Sequence, residues 1–237
     1  MWQPQMSRVA HLKMMNSDFI YSALKKDILA LKLRPGQMLS ENEIAELYQV
    51  SRTPVKGAFI RLESEGFINV VPQRGTFVTL IDFKQIQDIL YVRYVLEVDI
   101  LKKILLDPCL DGILGKLRES LHKQERLIAQ GNLSPEAFFE PDSQFHALLF
   151  SHVGREQIWS FIQENHLNYT RFRLLDTHVT ARYNQLYQDH MNIFHALSDR
   201  DEQRLDKCVY DHLHNLIEQF SRSASGEHRS YLINFED

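Results

Sequence analysis

Apolar residues recur at intervals of three and four along most of this chain, and give way to an extended pattern in one place. Ile20, Leu24, Ile28 and Leu31 predict a helix that Ser17 can cap and that runs to about Leu31. Lys32-Leu33-Arg34-Pro35-Gly36 ends it, because proline lacks a backbone donor and glycine supplies turn geometry. Ser40-Glu41-Asn42-Glu43 then has capping-box spacing and opens a short helix through Ile44, Ala45 and Leu47. A third helix, Ser51 to Glu65, carries Val55, Ala58, Phe59 and Leu62 on one face and stops at Gly66, a natural left-handed terminator. Beyond Gly66 the period becomes extended: Phe67 to Val71, a turn at Pro72-Gln73-Arg74-Gly75, then Thr76 to Leu80, which reads as a hairpin. A helix, a helix-turn-helix and a hairpin predict a winged helix-turn-helix over residues 17–80.

From Asp82 onward the pattern is helical only, in stretches near 82–106, 111–130, 135–152, 155–176, 180–198 and 202–222. The expected fold is therefore mainly α, with the winged domain followed by an all-helical bundle over residues 81–222 packed on apolar stripes. Residues 1–16 show no sustained periodicity and are expected to form a disordered tail. Residues 223–237 are expected to be a polar, frayed C-terminal tail, in which Tyr231, Leu232, Ile233 and Phe235 are the side chains that could dock.

With 237 residues, 44% hydrophobic and 24% charged, the chain has the composition of a globular protein, which excludes collagen-like, coiled-coil and wholly disordered classes. No apolar run reaches the roughly 20 residues of a membrane span. The start, Met1-Trp2-Gln3-Pro4-Gln5-Met6, lacks the charged and apolar regions of a signal peptide, so a cytoplasmic location with no membrane partner is expected. Cys109 and Cys208 show no metal or redox spacing and are read as reduced. The net charge of −4 is unevenly spread: residues 1–80 carry 10 basic and 7 acidic side chains, and residues 81–237 carry 17 and 24. A basic end on an acidic body permits polyanion binding by that end alone.

Ser51-Arg52-Thr53-Pro54-Val55-Lys56 places two hydroxyls, a guanidinium and an ammonium at the start of the second helix of the helix-turn-helix, the end that enters the major groove in such motifs. Ser51, Thr53 and Lys56 suit phosphate oxygens, and Arg52 can reach a phosphate or a guanine edge. Arg74, beside Gly75 at the hairpin tip, can reach the backbone or the minor groove. The competing reading makes Ser51 a cap and the charged side chains solvated surface. Pro35-Gly36, Leu39-Ser40-Glu41, Ile44-Ala45, Val50 to Val55, Leu62-Glu63-Ser64-Glu65-Gly66 and Arg74 to Val78 resemble the N-terminal domain of GntR-type bacterial transcriptional regulators. Lys56 and Gly57 depart from that pattern, which usually has Arg and Glu there. Lysine keeps the charge without the planar fork, and a glycine inside a helix costs roughly 1 kcal/mol relative to alanine.

The remainder is similar to the FadR-type helical effector domain called FCD. Arg93 and Glu97, Asp142-Ser143-Gln144-Phe145-His146, Asp189-His190 and His212-Leu213 carry that likeness. The spacing itself points the same polar groups inward. Asp142 shares a stripe with Phe138, Phe145 and Leu149, with His146 one turn on; His190 falls with Leu186, Ile193 and Leu197; His212 falls with Leu205, Val209 and Leu216. A divalent ion would satisfy all four, and three imidazoles with one carboxylate suit zinc first, with nickel, manganese or iron as alternatives. The alternative is a hydrogen-bonded core network, and His166, which also follows an apolar stripe of Trp159, Ile162 and Tyr169, shows that stripe membership is not decisive. The resemblance implies the metal, since metal-binding members of the family use the Asp and three His of these motifs. It also implies Arg93 as an anchor for a carboxylate effector, the alternative being an ion pair with Glu97 one turn later.

With the resemblance, the sequence leads to the expectation of a non-enzymatic DNA-binding transcriptional regulator, a homodimer on double-stranded operator DNA, and the resemblance implies that its affinity responds to a small organic acid bound near a divalent metal. Two other readings stay open: a metal-dependent hydrolase with an accessory winged domain, disfavoured by the lack of general-base spacing such as HExxH, and a regulator whose metal is purely structural.

Overall fold

The structure is a computed structural model that describes residues 17–131, 133–164 and 167–235. The expected tail at 1–16 and His166 lie outside the described residues. The chain divides into two compact units, one comprising the N-terminal segment to Phe83 together with residues from Gly226 onward, the other Lys84–Ser225.

In the first unit α1 (Ser17–Leu29) packs on α3 (Arg52–Ser64), and α2 (Glu41–Tyr48) packs beside it. Ile20, Leu24 and Ile28 of α1 and Val55, Phe59 and Leu62 of α3 are all buried, as the helical spacing requires. The Ser40 hydroxyl accepts from the Glu43 backbone N–H, so the capping box forms its first half. Gly57 lies where α1 and α3 approach closely; a Cβ there would stand 2.8 Å from Ser17 Oγ. The wing is β2 (Ile68–Val71) antiparallel to β3 (Gly75–Val78), with Gln73 (φ 61°) and Gly75 (φ 120°) making the turn. A short β1 (Met38–Leu39) adds to the free side of β3.

The C-terminal residues depart from expectation. They form a short helix, α11 (Gly226–Arg229), and β5 (Leu232–Ile233), which pairs in parallel with β4 (Ile81–Asp82). Leu232 is buried, Phe235 meets Phe83 edge to face, and Arg34 pairs with Glu227 at 3.0 Å. The apolar side chains in this otherwise polar segment give it a surface to bury, which is why it docks instead of fraying.

The second unit is helical: α4 (Phe83–Leu105, entering from the first unit), α5 (Leu110–Ala129), α6 (Pro135–His152), α7 (Glu156–Glu164), α8 (Leu167–Thr180), α9 (Tyr183–Ser198) and α10 (Glu202–Ser223). The stretch expected as one helix over 155–176 is thus two described helices. α9 packs against α5 and α10, α5 against α6, and α8 against α6 and α10. Their apolar stripes, including Leu117 and Leu121, Phe145 and Leu149, Ile193 and Leu197, and Val209 and Leu216, are buried and surround a group of buried polar side chains.

Candidate functional site

The inward stripes bring His146 of α6, His190 of α9 and His212 of α10 together, each buried, with one ligand atom from each within 4.8 Å of the others. Phe145 stacks on the His190 ring at 4.3 Å between centroids, and Trp159 stacks on His146 at 5.4 Å. The far sides of the rings face acceptors. His190 Nδ1 lies 2.9 Å from Gln124 Oε1, and Gln124 Nε2 donates to the Pro141 carbonyl, which fixes the amide with its oxygen toward the ring. His146 Nδ1 lies 3.0 Å from Glu97 Oε2, and His212 Nδ1 lies 3.8 Å from Asp189 Oδ2. An imidazole that gives its Nδ1 proton to such an acceptor presents a lone pair on Nε2, the form a metal ligand needs.

The Nε2 atoms of His146 and His190 stand 3.3 Å apart. That is long for an N–H···N hydrogen bond, and it is the separation of two nitrogens bound to one ion at about 2.0–2.1 Å. The donor set therefore fits a divalent metal of borderline softness. Asp142 is beside the triad, its Oδ1 3.8 Å from His190 Nε2 and its Oδ2 accepting from Arg173 of α8. Of the four expected ligands, the three histidines converge and Asp142 lies next to them.

Arg93 of α4 is buried and committed. Its Nε donates to Glu97 Oε1 at 2.7 Å, one terminal nitrogen donates to the Tyr169 hydroxyl, and the other lies 3.1 Å from His146 Nε2. The ion pair with Glu97, the alternative to a free anchor, is thus present. Burial acts to lower the Arg93 pKa, but the charge of Glu97 outweighs it and the net shift is upward. Burial likewise acts to raise Glu97 and Asp142, but Arg93 and Arg173 hold each carboxyl well below its usual range. Burial lowers the pKa of His146 and lowers that of His190 further, so both rings are neutral at pH 7. A cavity of about 20 Å³, room for a water-sized guest, lies against these groups, lined by Arg93, Asp142, Tyr169, Arg173, Thr177 and His212 among others.

Sequence reasoning did not assign Gln124, Tyr169 or Arg173. Gln124 had a signal, since it follows Leu117 and Leu121 on a buried stripe. His122 is exposed and His214 stacks on Tyr210 and bonds its carbonyl, so neither joins the triad.

On the first unit, Ser51, Arg52, Thr53 and Lys56 form an exposed N-terminal end of α3, and Arg74 with Gly75 is exposed at the wing tip. Ser51 makes no side-chain cap bond, so its hydroxyl is not spent on the helix. Arg52 pairs with Glu41 of α2 at 3.1 Å across a solvated gap, a contact weak enough to exchange for a phosphate.

A winged helix-turn-helix with a polar, exposed recognition end, joined to a helical unit, is the build of a DNA-binding transcriptional regulator. Residues 16–78 match the family described as "Bacterial regulatory proteins, gntR family" and residues 88–215 match the FCD domain. The chain belongs to the gntR family of bacterial regulatory proteins, with an FCD domain as its second part. It is 30% identical over 199 residues to the HTH-type transcriptional repressor RspR of Escherichia coli strain K12, covering 84% of this chain and 86% of that protein. It is 32% identical over 205 residues to an HTH-type transcriptional regulator in an unstable DNA locus of Streptomyces ambofaciens, covering 86% and 84%. The fold is similar to that of E. coli McbR/YncC (TM-score 0.60, 20% identity, 88% of this chain and 98% of that one). It is also similar to a GntR regulator from Rhodococcus sp. RHA1 (TM-score 0.62, 20% identity, 88% and 99%). No described helix is long and apolar enough to cross a membrane.

Proposed function

We propose that this regulator binds operator DNA as a cytoplasmic homodimer, through Ser51, Arg52, Thr53 and Lys56 in the major groove and Arg74 beside Gly75 at the wing, and that its affinity responds to a small carboxylate bound at a divalent ion in the FCD domain. His146, His190 and His212 would hold the ion, with Asp142 as the fourth ligand and zinc as the first candidate. The ion supplies a Lewis-acidic point for a carboxylate oxygen. The observation that carries this reading is the buried triad: three imidazoles whose outer nitrogens face Glu97, Gln124 and Asp189, with the inner nitrogens of His146 and His190 at 3.3 Å. Dimerisation follows from the way helix-turn-helix proteins read two half-sites about a two-fold axis.

The small cavity favours a second reading, in which the metal is purely structural and no small molecule enters. Operator binding separates the two. DNA fragments selected for binding by the zinc-loaded protein are titrated with and without a panel of small carboxylates. The proposal expects at least one to change operator affinity in the loaded protein and not in the chelator-stripped one. A panel-wide absence of response, with metal present and stabilising, supports the structural role.

A further inference from the structure

A second cavity, of about 390 Å³ and so within the usual range for small-molecule sites, is lined by α5, α6 and α7. None of the three histidines lines it, nor do Arg93, Asp142 or Arg173, so it is distinct from the centre described above. Its lining has two parts. Lys116, Glu119, Ser120 and Lys123 of α5 stand at i, i+3, i+4 and i+7 and share one face of that helix. Ala147 and Leu148 of α6 and Trp159 of α7 supply the apolar part.

Ser120 distinguishes this cavity from a surface groove. It is 3% exposed, it lines the cavity, and its Oγ has no hydrogen-bond partner among the described residues. Ser151 and Ser221 each return their hydroxyl to a carbonyl about one turn back, the usual outlet for a serine inside a helix, and Ser120 does not. Buried hydroxyls are ordinarily satisfied. Held between Leu117 and Leu121 on the buried side of α5, this one can be satisfied by a polar group in the cavity.

The charges beside it are also uncommitted. Lys116, Glu119 and Lys123 are exposed, and none has an ion-pair partner among the described residues. Glu119 and Lys123 have the i,i+4 spacing at which the pairs Lys84–Asp88, Lys103–Asp99 and Lys207–Asp211 close. Both signs are therefore offered within two turns of one helix, around a buried hydroxyl. A ligand of single charge meets an attraction and a repulsion there, whereas a compact zwitterion meets two attractions.

We propose that this cavity is a second ligand site, for a free α-amino acid with an apolar side chain. The ammonium meets Glu119, the carboxylate meets Lys116 or Lys123 and accepts from the Ser120 hydroxyl, and the side chain extends over Ala147 and Leu148 toward Trp159. Glu156, which also lines the cavity, disfavours an acidic side chain. The inference does not rest on the triad holding a metal.

The test uses L-leucine, L-methionine and L-phenylalanine, titrated by calorimetry into the full chain stripped with a chelator, so that its outcome is independent of the metal reading. The proposal predicts saturable binding of at least one, with one site per chain. The matching acid without the ammonium and the matching amine without the carboxylate should each bind more weakly by roughly tenfold or more. Ser120→Ala should weaken the amino acid by roughly 2–10-fold, and Glu119→Gln should shrink its advantage over the acid. The tryptophans are Trp2 and Trp159, so in a Trp2→Phe background the emission of Trp159 should change as the site fills. No saturable binding by any of the three overturns the proposal, as does equal binding of the singly charged analogues. Binding that is unchanged in both Ser120→Ala and Glu119→Gln places the ligand elsewhere and also overturns it. If Ser120→Ala does not fold, Glu119→Gln decides, since that side chain is exposed.

Discussion

Replacing Glu97 with glutamine removes one negative charge from the buried centre and almost no volume. Glu97 is buried, accepts from Arg93 Nε at 2.7 Å, and places its other oxygen 3.0 Å from His146 Nδ1. The amide keeps one acceptor for Arg93 but leaves the guanidinium charge without its nearest counter-ion. Removing one partner of a buried ion pair costs about 3–5 kcal/mol. In a chain of this size each kcal/mol moves the unfolding midpoint by roughly 2–4 °C, so the metal-free variant should melt roughly 6–20 °C below the wild type. Far-UV circular dichroism in the presence of a chelator measures this. Asp88→Asn, which breaks an exposed i,i+4 pair with Lys84 at 2.7 Å, serves as the control and should leave the midpoint unchanged. A Glu97→Gln midpoint indistinguishable from that control would refute the buried-pair account of the centre.

Three further outcomes follow from the same structure. The pKa values of His146 and His190 are lowered by burial, so the stability of the metal-free protein is complete above the ordinary histidine pKa of about 6.5. It should fall as pH drops toward the folded-state values, by at most about 1.4 kcal/mol per pH unit for each ring; urea unfolding from pH 7.5 to 5.5 checks this, and a flat profile contradicts it. Arg52→Ala and Arg74→Ala should each weaken operator binding, by about 1–3 kcal/mol where a bidentate base contact is lost, or should lower the salt slope by roughly one where only a phosphate is lost. Leu232→Ala should destabilise the first unit by about 2 kcal/mol or more, seen as faster proteolysis of the winged segment, because Leu232 is buried in the C-terminal strand beside β4.

The elements written in local chemistry were legible in the sequence. Ser40 and Glu43 marked the start of α2, Gly66 the end of α3 with its φ of 77°, and Pro72 to Gly75 the wing. The two-residue strands β1, β4 and β5 were not, since two residues carry no periodicity and their pairing depends on chain segments far apart. The same division holds at the centre. His146, His190 and His212 were readable because each interrupts an apolar stripe. Arg173 and Tyr169 were not, because their roles depend on where α8 meets α6 and α4, which no spacing within α8 records. Glu97 and Asp189 stood in the motifs, but their position behind the imidazoles is a tertiary fact.

Metal content measured on purified protein tests the central claim most directly. The account predicts about one divalent ion per chain after equilibration with zinc and gel filtration. It predicts loss of most of that ion in His190→Ala, and retention in His122→Ala and His214→Ala, neither of which joins the triad. A protein that stays metal-free under these conditions, or that loses its ion equally in all three variants, would contradict it.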